Sequence, residues 1–308
     1  MKEEEKKTVL IAGGSGLIGQ AVQKELHKYG HEVRVLTREI EPSAPYFYWD
    51  PKLKDIDLEA LKGVDVIINL AGAGIADRLW TKKRKRELLN SRVKPNQFLH
   101  EMCDDIPTLK QFISASGINC YGYEKPTKIY KESDLFGHDF LSTLVRRWEE
   151  AVDLFAPDRK VAKIRTGIVL TEKGGALPKI SIPIKYYVGS ALGNGEQRMP
   201  WITLSDIARL YVHAVHKELD GVYNAASGSI SNASLTHKIA KKLNKPLWLP
   251  SIPSFLLRTV LGEMASLLLD GIRVDNGKIL KTGFTLKQKT IDEALYTIYG
   301  DEDTDTKQ

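Results

Sequence analysis

The chain has 308 residues, enough for one large domain or two lobes on a common sheet, and its 42% hydrophobic and 27% charged residues suit a globular protein. The net charge of +6 is spread thinly, and its densest run, Lys82-Lys-Arg-Lys-Arg86, has no interleaved aromatics; a nucleic-acid partner is therefore not expected, and a basic cleft for an anionic small molecule explains the bias better. The two cysteines, Cys103 and Cys120, form neither a disulfide framework nor a metal-ligand spacing and read as small buried residues of a reduced cytoplasm.

In chain order, Met1-Lys-Glu-Glu-Glu-Lys-Lys is too acidic for a transit peptide, and the apolar run after it is too short for a signal sequence. That run, Thr8-Val-Leu-Ile-Ala-Gly-Gly-Ser-Gly-Leu-Ile-Gly19, predicts a buried strand, a tight turn and the start of a helix. A dinucleotide pyrophosphate sits on such a unit. Gly13 allows the sharp turn, Gly16 allows backbone to approach phosphate, and Gly19 lets the helix pack close. Ser15, Leu17 and Ile18 complete the phosphate loop, where the helix N-terminus offers free N–H groups and a positive dipole end.

Residues 31–37 predict a second strand, at whose end the adenosine ribose is read. Thr37-Arg38 stands there, and the cation suits a 2′-phosphate, which favours NADP over NAD. Glu39 follows and could bind a plain ribose if it turned inward. Further apolar strands are expected at 64–72, 111–116 and 160–170, with a helix over 140–155. Continuous apolar runs alternating with helices give a doubly wound parallel sheet of Rossmann type, with its ligand at the carboxyl ends of the strands.

Past residue 171 the glycine- and proline-rich stretches suggest loops over the cleft. A helix at 206–217 and a strand at 221–226 return to the sheet. The expected division is a Rossmann domain of residues 1–170 joined by about 201–228, and a smaller, mostly helical substrate lobe of 171–200 and 229–300. The apolar stretch 254–269 is interrupted by Arg258 and Glu263, so a buried helix is expected rather than a membrane span. The acidic tail, 301–308, is expected to fray.

Taken together, the glycine loop, Asn69-Leu-Ala-Gly72, Ser114-Ala-Ser116 leading to Tyr121-Gly122, Trp201-Ile-Thr-Leu-Ser-Asp206 and Val222-Tyr-Asn224 resemble the extended short-chain dehydrogenase/reductase superfamily. Within it, Trp80-Thr81, Ser91-Arg92, Arg165-Thr-Gly-Ile-Val-Leu170, Gly174-Gly-Ala-Leu177, Gly193-Asn-Gly195, Leu261-Gly-Glu-Met264 and Leu268-Leu-Asp-Gly271 resemble an atypical branch of NAD(P)-dependent epimerase-family proteins, over residues 8–296. The resemblance implies that Leu70, Ala71 and Gly72 pass under the adenine side of the cofactor and that Gly167 approaches its nicotinamide end.

It also implies an acid/base tyrosine, a lysine four residues on that lowers the tyrosine pKa, and a serine that orients the substrate oxygen. Counting back from Glu149 places Leu141 and Val145 where that tyrosine and lysine belong, and neither moves a proton. The literal Tyr121-Gly-Tyr-Glu-Lys125 lies beside Gly122 and Pro126, in a loop without helical geometry, and reads as coincidence. Ser116 and Tyr121 are then the expected catalytic groups, with Tyr123 also edging the cleft; Tyr121 is either a substitute acid or an aromatic wall. Arg92, where relatives carry a cleft asparagine, and Lys85 supply positive charge, unless Arg92 is a surface residue paired with Glu87. The expected function is an NADP-dependent oxidoreductase or epimerase-like enzyme for a small anionic carbonyl or alcohol. The alternative is an inactive NADP-binding sensor. A homodimer is expected by analogy with the superfamily alone.

Overall fold

Val9 and Ile11 face one side of a strand, and Leu10 and Ala12 face the other; all four are fully buried. A strand buried on both faces needs helices on both, and each large side chain so buried contributes about 1.5–3 kcal/mol. In the computed structural model, which describes residues 5–123 and 127–300, this strand lies inside the main sheet.

The strands are β1 (Thr8–Ala12), β2 (Glu32–Thr37), β3 (Tyr46–Asp50), β4 (Asp55–Ile56), β5 (Val66–Asn69), β6 (Gln111–Gly117) and β7 (Ile129–Tyr130). They continue with β8 (Lys160–Thr166), β9 (Ile168–Leu170), β10 (Arg198–Thr203), β11 (Gly221–Ala225), β12 (Gly228–Ser231) and β13 (Arg273–Val274). Among the described residues the main sheet has eight strands in the order β11-β8-β6-β5-β1-β2-β3-β4. Its pairings are parallel except for β3 with β4. The chain runs outward from β1 through β2 and β3, then returns to β5 on the other side. This reversal opens a crevice at the carboxyl ends of β1 and β5.

The described α-helices are α1 (Leu17–Lys28), α2 (Lys82–Glu101), α3 (Phe140–Val152), α4 (Ala176–Lys185), α5 (Leu204–His216), α6 (Asn232–Lys242), α7 (Ser254–Leu261), α8 (Ser266–Leu269), α9 (Gly277–Lys281) and α10 (Ile291–Tyr299). Val22 and Leu26 of α1 join Ile207 and Tyr211 of α5 against the Val9 and Ile11 face. Leu88 and Leu99 of α2 join Leu144 and Trp148 of α3 against the Leu10 face. A third core, with Leu177, Ile184, Trp201, Leu235, Ile239 and Leu295, belongs to the C-terminal lobe.

The structure divides the chain differently in three places. Gly167 ends the run through β8: its N–H donates to Ala225 O while the chain turns away into β9. β9 pairs with β10, and β10 with β12, in a separate small sheet, so residues 201–203 lie outside the main sheet. In the other direction, Ile279 and Phe284 pack into the core on the α1–α5 face, although they fall within the expected lobe. The expected buried helix over 254–269 is instead two short helices split at Gly262, neither containing a buried residue. Phe255 and Val260 are exposed there. No described helix is long and apolar enough to cross a membrane. Both cysteines are free and buried. Lys125 and the tail 301–308 lie outside the described residues.

Candidate functional site

At the end of β1, Gly13 adopts φ +76, and a Cβ there would stand 2.8 Å from the Ala71 backbone N. The bare glycine lets the β1 and β5 turns touch, and Leu70 N–H donates to Ala12 O at 2.8 Å. A Cβ at Gly19 would meet Gly13 O at 2.6 Å, so that glycine seats α1 against the turn. Gly16 is the N-cap of α1 and brings no side-chain cap. Thr81, Asp139, Thr203 and Ser231 cap α2, α3, α5 and α6 with their side chains. The first turn of α1, beside exposed Ser15 and half-buried Leu17 and Ile18, has no side chain on its N–H groups, a state it shares with α4, α7, α8 and α9.

Opposite this turn, Asn69 Oδ1 accepts from Ala71 N–H at 3.0 Å, and Asn69 Nδ2 donates to Asn96 Oδ1 at 2.7 Å. These bonds shape Leu70, Ala71 and Gly72 into the facing wall. Arg92 lies beneath them, and a Cβ on Gly72 would be 3.3 Å from its guanidinium carbon. The guanidinium donates to Leu88 O and Ala73 O, each at 3.0 Å, while its buried Nε has no partner. Burial, and then Arg84, lower its pKa to about 10. Arg92 is thus a buried cation behind the cleft wall, and Glu87 pairs with Arg84. The surface pairing does not form because Arg92 lies on the inward face of α2.

At the end of β2, Thr37 Oγ1 accepts from Glu39 N–H at 3.2 Å. Arg38 and Glu39 are both exposed, and among the described residues neither has an ion-pair partner. Across the cleft, a Cβ on Gly174 would lie 3.9 Å from Leu17 Cδ2. Lys179 of α4 donates to Ala76 O at 3.2 Å, so the C-terminal lobe bridges the crevice. The uncapped helix start and the exposed Arg38 lie on the cleft side, whereas the orphaned Arg92 Nε is buried behind its wall. Among the described residues no group of His, Cys, Asp and Glu is placed to hold a metal ion.

Ser116 and Tyr121 come together, but inside the core. Ser116 Oγ donates to Glu149 Oε1 at 2.5 Å, and Arg165 binds both carboxylate oxygens of Glu149 at 2.8 Å. Tyr121 Oη donates to Asn224 Oδ1 at 2.7 Å and accepts from Arg165 Nη1 at 3.0 Å. The tyrosine is 2% exposed, and burial, then Cys120, raise its hydroxyl pKa. With both sides of the hydroxyl engaged, Tyr121 is not placed to act as the substitute acid. It ties β11, β8 and α3 together. Glu149, Arg165 and Asn224 were not read as a network, although a charge on the apolar stripe of α3 and another inside β8 are its sequence signal.

Leu141 and Val145 are 1% and 2% exposed. A Cβ on Gly117 would lie 3.6 Å from Val145 Cγ2, and Glu149, another turn along, takes the Ser116 bond. The inward face of α3 therefore carries Leu141, Val145 and Glu149 toward the end of β6, as the register predicts. Leu141 also lines a cavity of about 350 Å³, with Trp80, Tyr123, Asp139, Phe140, Glu263, Ser266 and Asp270. Lys85 sits at its edge, paired with Glu263 and 4.7 Å over the Phe140 ring. Burial, with a contribution from Asp139, raises the Asp270 pKa. Lys85 is neutralised and Arg92 is walled off. The groups expected to attract an anionic substrate therefore leave an aromatic cavity with three carboxylates.

Comparison with known proteins matches residues 9–139 to the NAD dependent epimerase/dehydratase family and residues 252–298 to a domain of unknown function, DUF1731. An epimerase family protein of Mycobacterium leprae is 33% identical over 94% of this chain and 95% of its own length. The human epimerase family protein SDR39U1, solved with NADPH, is 30% identical and superimposes with a TM-score of 0.87, covering 95% of this chain and 99% of that one. MoeE5, solved with UDP-glucuronic acid and NAD, is 20% identical, with a TM-score of 0.76 over 95% of this chain and 97% of its own, and shares the fold.

Proposed function

The chain belongs to the epimerase family, and from that premise we propose that it is an NADP(H)-dependent oxidoreductase or epimerase-like enzyme for a small, uncharged or cationic carbonyl or alcohol. The observation that carries this reading is the uncapped, glycine-lined start of α1 with an exposed Arg38 at the end of β2 that has no ion-pair partner among the described residues. Gly13, Ser15, Gly16, Leu17 and Ile18 would hold the pyrophosphate, and Arg38 would bind a 2′-phosphate by charge-assisted hydrogen bonds. The human relative solved with NADPH supports that choice. Leu70, Ala71 and Gly72 would form the opposite wall and Gly167 the nicotinamide end. The bound cofactor supplies or accepts hydride; the chain positions the substrate, excludes water with the C-terminal lobe and manages the proton.

Leu141 and Val145, apolar at the acid/base positions, favour a second reading, an NADP(H) sensor without turnover. Incubation with NADPH and a panel of neutral and cationic carbonyl compounds, followed at the nicotinamide absorbance, separates the two. The enzyme reading expects NADPH consumption, slower with NADH. Tight NADPH binding with no consumption across the panel removes net reduction, and if chiral alcohols incubated with NADP⁺ also keep their configuration it supports the sensor.

A further inference from the structure

We propose that Tyr123 Oη is the proton donor facing the substrate oxygen, in place of the tyrosine that α3 lacks. This rests on the NADP(H) oxidoreductase reading of the cleft. Tyr123 and Leu141 line the same cavity, so a hydroxyl is restored beside the position where the acid is missing. Its setting is the reverse of that of Tyr121. Asn119 Nδ2 donates to Tyr123 Oη at 2.5 Å, and among the described residues nothing accepts the Tyr123 proton, which is left for a ligand. Asn119 is itself held, because its carbonyl accepts from Ser142 Oγ at 3.1 Å.

The other polar groups of the cavity are committed except Asp270, which has only a 3.9 Å ion pair with Arg258. Ser266 Oγ donates to Glu263 O at 2.9 Å, Asp139 Oδ1 caps α3 through Ser142 N–H at 2.8 Å, and Glu263 pairs with Lys85. Burial, and then Asp139 and Asp270, raise the Tyr123 pKa. Tyr123 therefore keeps its proton across the working range and is protonated when a carbonyl binds. In the reducing direction the carbonyl π bond breaks. Its carbon takes hydride from a reduced nicotinamide, its oxygen takes the Tyr123 proton, and the tyrosinate regains a proton from water.

The test needs no substrate. With 3,5-difluorotyrosine in place of Tyr123, whose more acidic phenol titrates in an accessible range, ¹⁹F NMR follows the hydroxyl in the full-length protein with NADPH or NADP⁺. A tyrosine at the reacting end feels the positive nicotinamide, so its pKa should be lower with NADP⁺ than with NADPH by about one unit. Equal pKa values with both cofactors bound, as judged by protein fluorescence, would overturn the assignment. Failure of the wild-type protein to bind either cofactor would instead remove the oxidoreductase reading beneath it.

Discussion

Tyr121 and Tyr123 are separated by one glycine, yet one hydroxyl is bonded on both sides in the core, while the other accepts from Asn119 on a residue that lines a cavity. Nothing in the motif Tyr121-Gly-Tyr123 distinguishes them, because the difference comes from Asn224 and Arg165, distant in sequence. The glycine turn after β1 was therefore legible, because it is local, whereas the buried bonding of Tyr121 was not, because its partners are distant. The Glu149–Arg165 pair sets a stability prediction. Glu149→Gln leaves a buried guanidinium without its counter-charge and should cost about 3–5 kcal/mol in urea unfolding. Tyr121→Phe should cost about 1–3 kcal/mol for the hydrogen-bond partners it strands. A Tyr121→Phe protein of wild-type stability would mean that the network is not formed in solution.

At the scale of elements, α3 was readable because Leu141, Val145 and Glu149 share one stripe at helical spacing, and the structure places all three inward. The small sheet was not readable: β9 has three residues and is separated from β8 by Gly167 alone, so residues 160–170 look like one strand. The same α3 stripe predicts that the missing pair cannot simply be restored. Val145→Lys buries an ammonium beside Gly117 in an apolar cluster and should lower stability by several kcal/mol. Leu141→Tyr combined with Val145→Lys should then show a reduced melting temperature and no gain in NADPH consumption. Gly19→Ala acts on the other side of the cleft. Its Cβ would force α1 away from the β1 turn, so NADPH affinity should fall at least about tenfold by fluorescence titration, from loss of a close packing contact.

Across the whole molecule, charge changes at the amino ends of β1 and β2, opposite the cleft, make stability depend on pH. His31 Nε2 and His216 Nε2 lie 2.8 Å apart, and Lys7 N–H donates to His31 Nδ1. With His31 Nδ1 accepting, its Nε2 carries the proton and His216 must accept it, so protonating His216 sets two donors against each other. Burial, and then Lys7 and Lys217, lower the His216 pKa; burial likewise leads the lowering for His213. The unfolded chain therefore takes up these protons first. Stability from these groups is complete above about pH 6.5, the ordinary histidine value, and declines as the pH falls below it. Calorimetric melting at pH 7 and pH 5 should show the loss, and His216→Gln should reduce its size. At the same scale, the two layers of helices around a parallel sheet followed from continuous apolar runs. The return of residues 277–284 to the main sheet did not, because it depends on packing against α5 rather than on any local pattern. The most direct test of the account is calorimetric titration of the wild-type protein and Arg38→Ala with NADPH and with NADH. The wild type should bind NADPH about 10–100-fold more tightly than NADH, as a charge-assisted bond to the 2′-phosphate requires, and Arg38→Ala should abolish the preference. Equal affinity of the wild type for the two cofactors, or binding of neither, would contradict it.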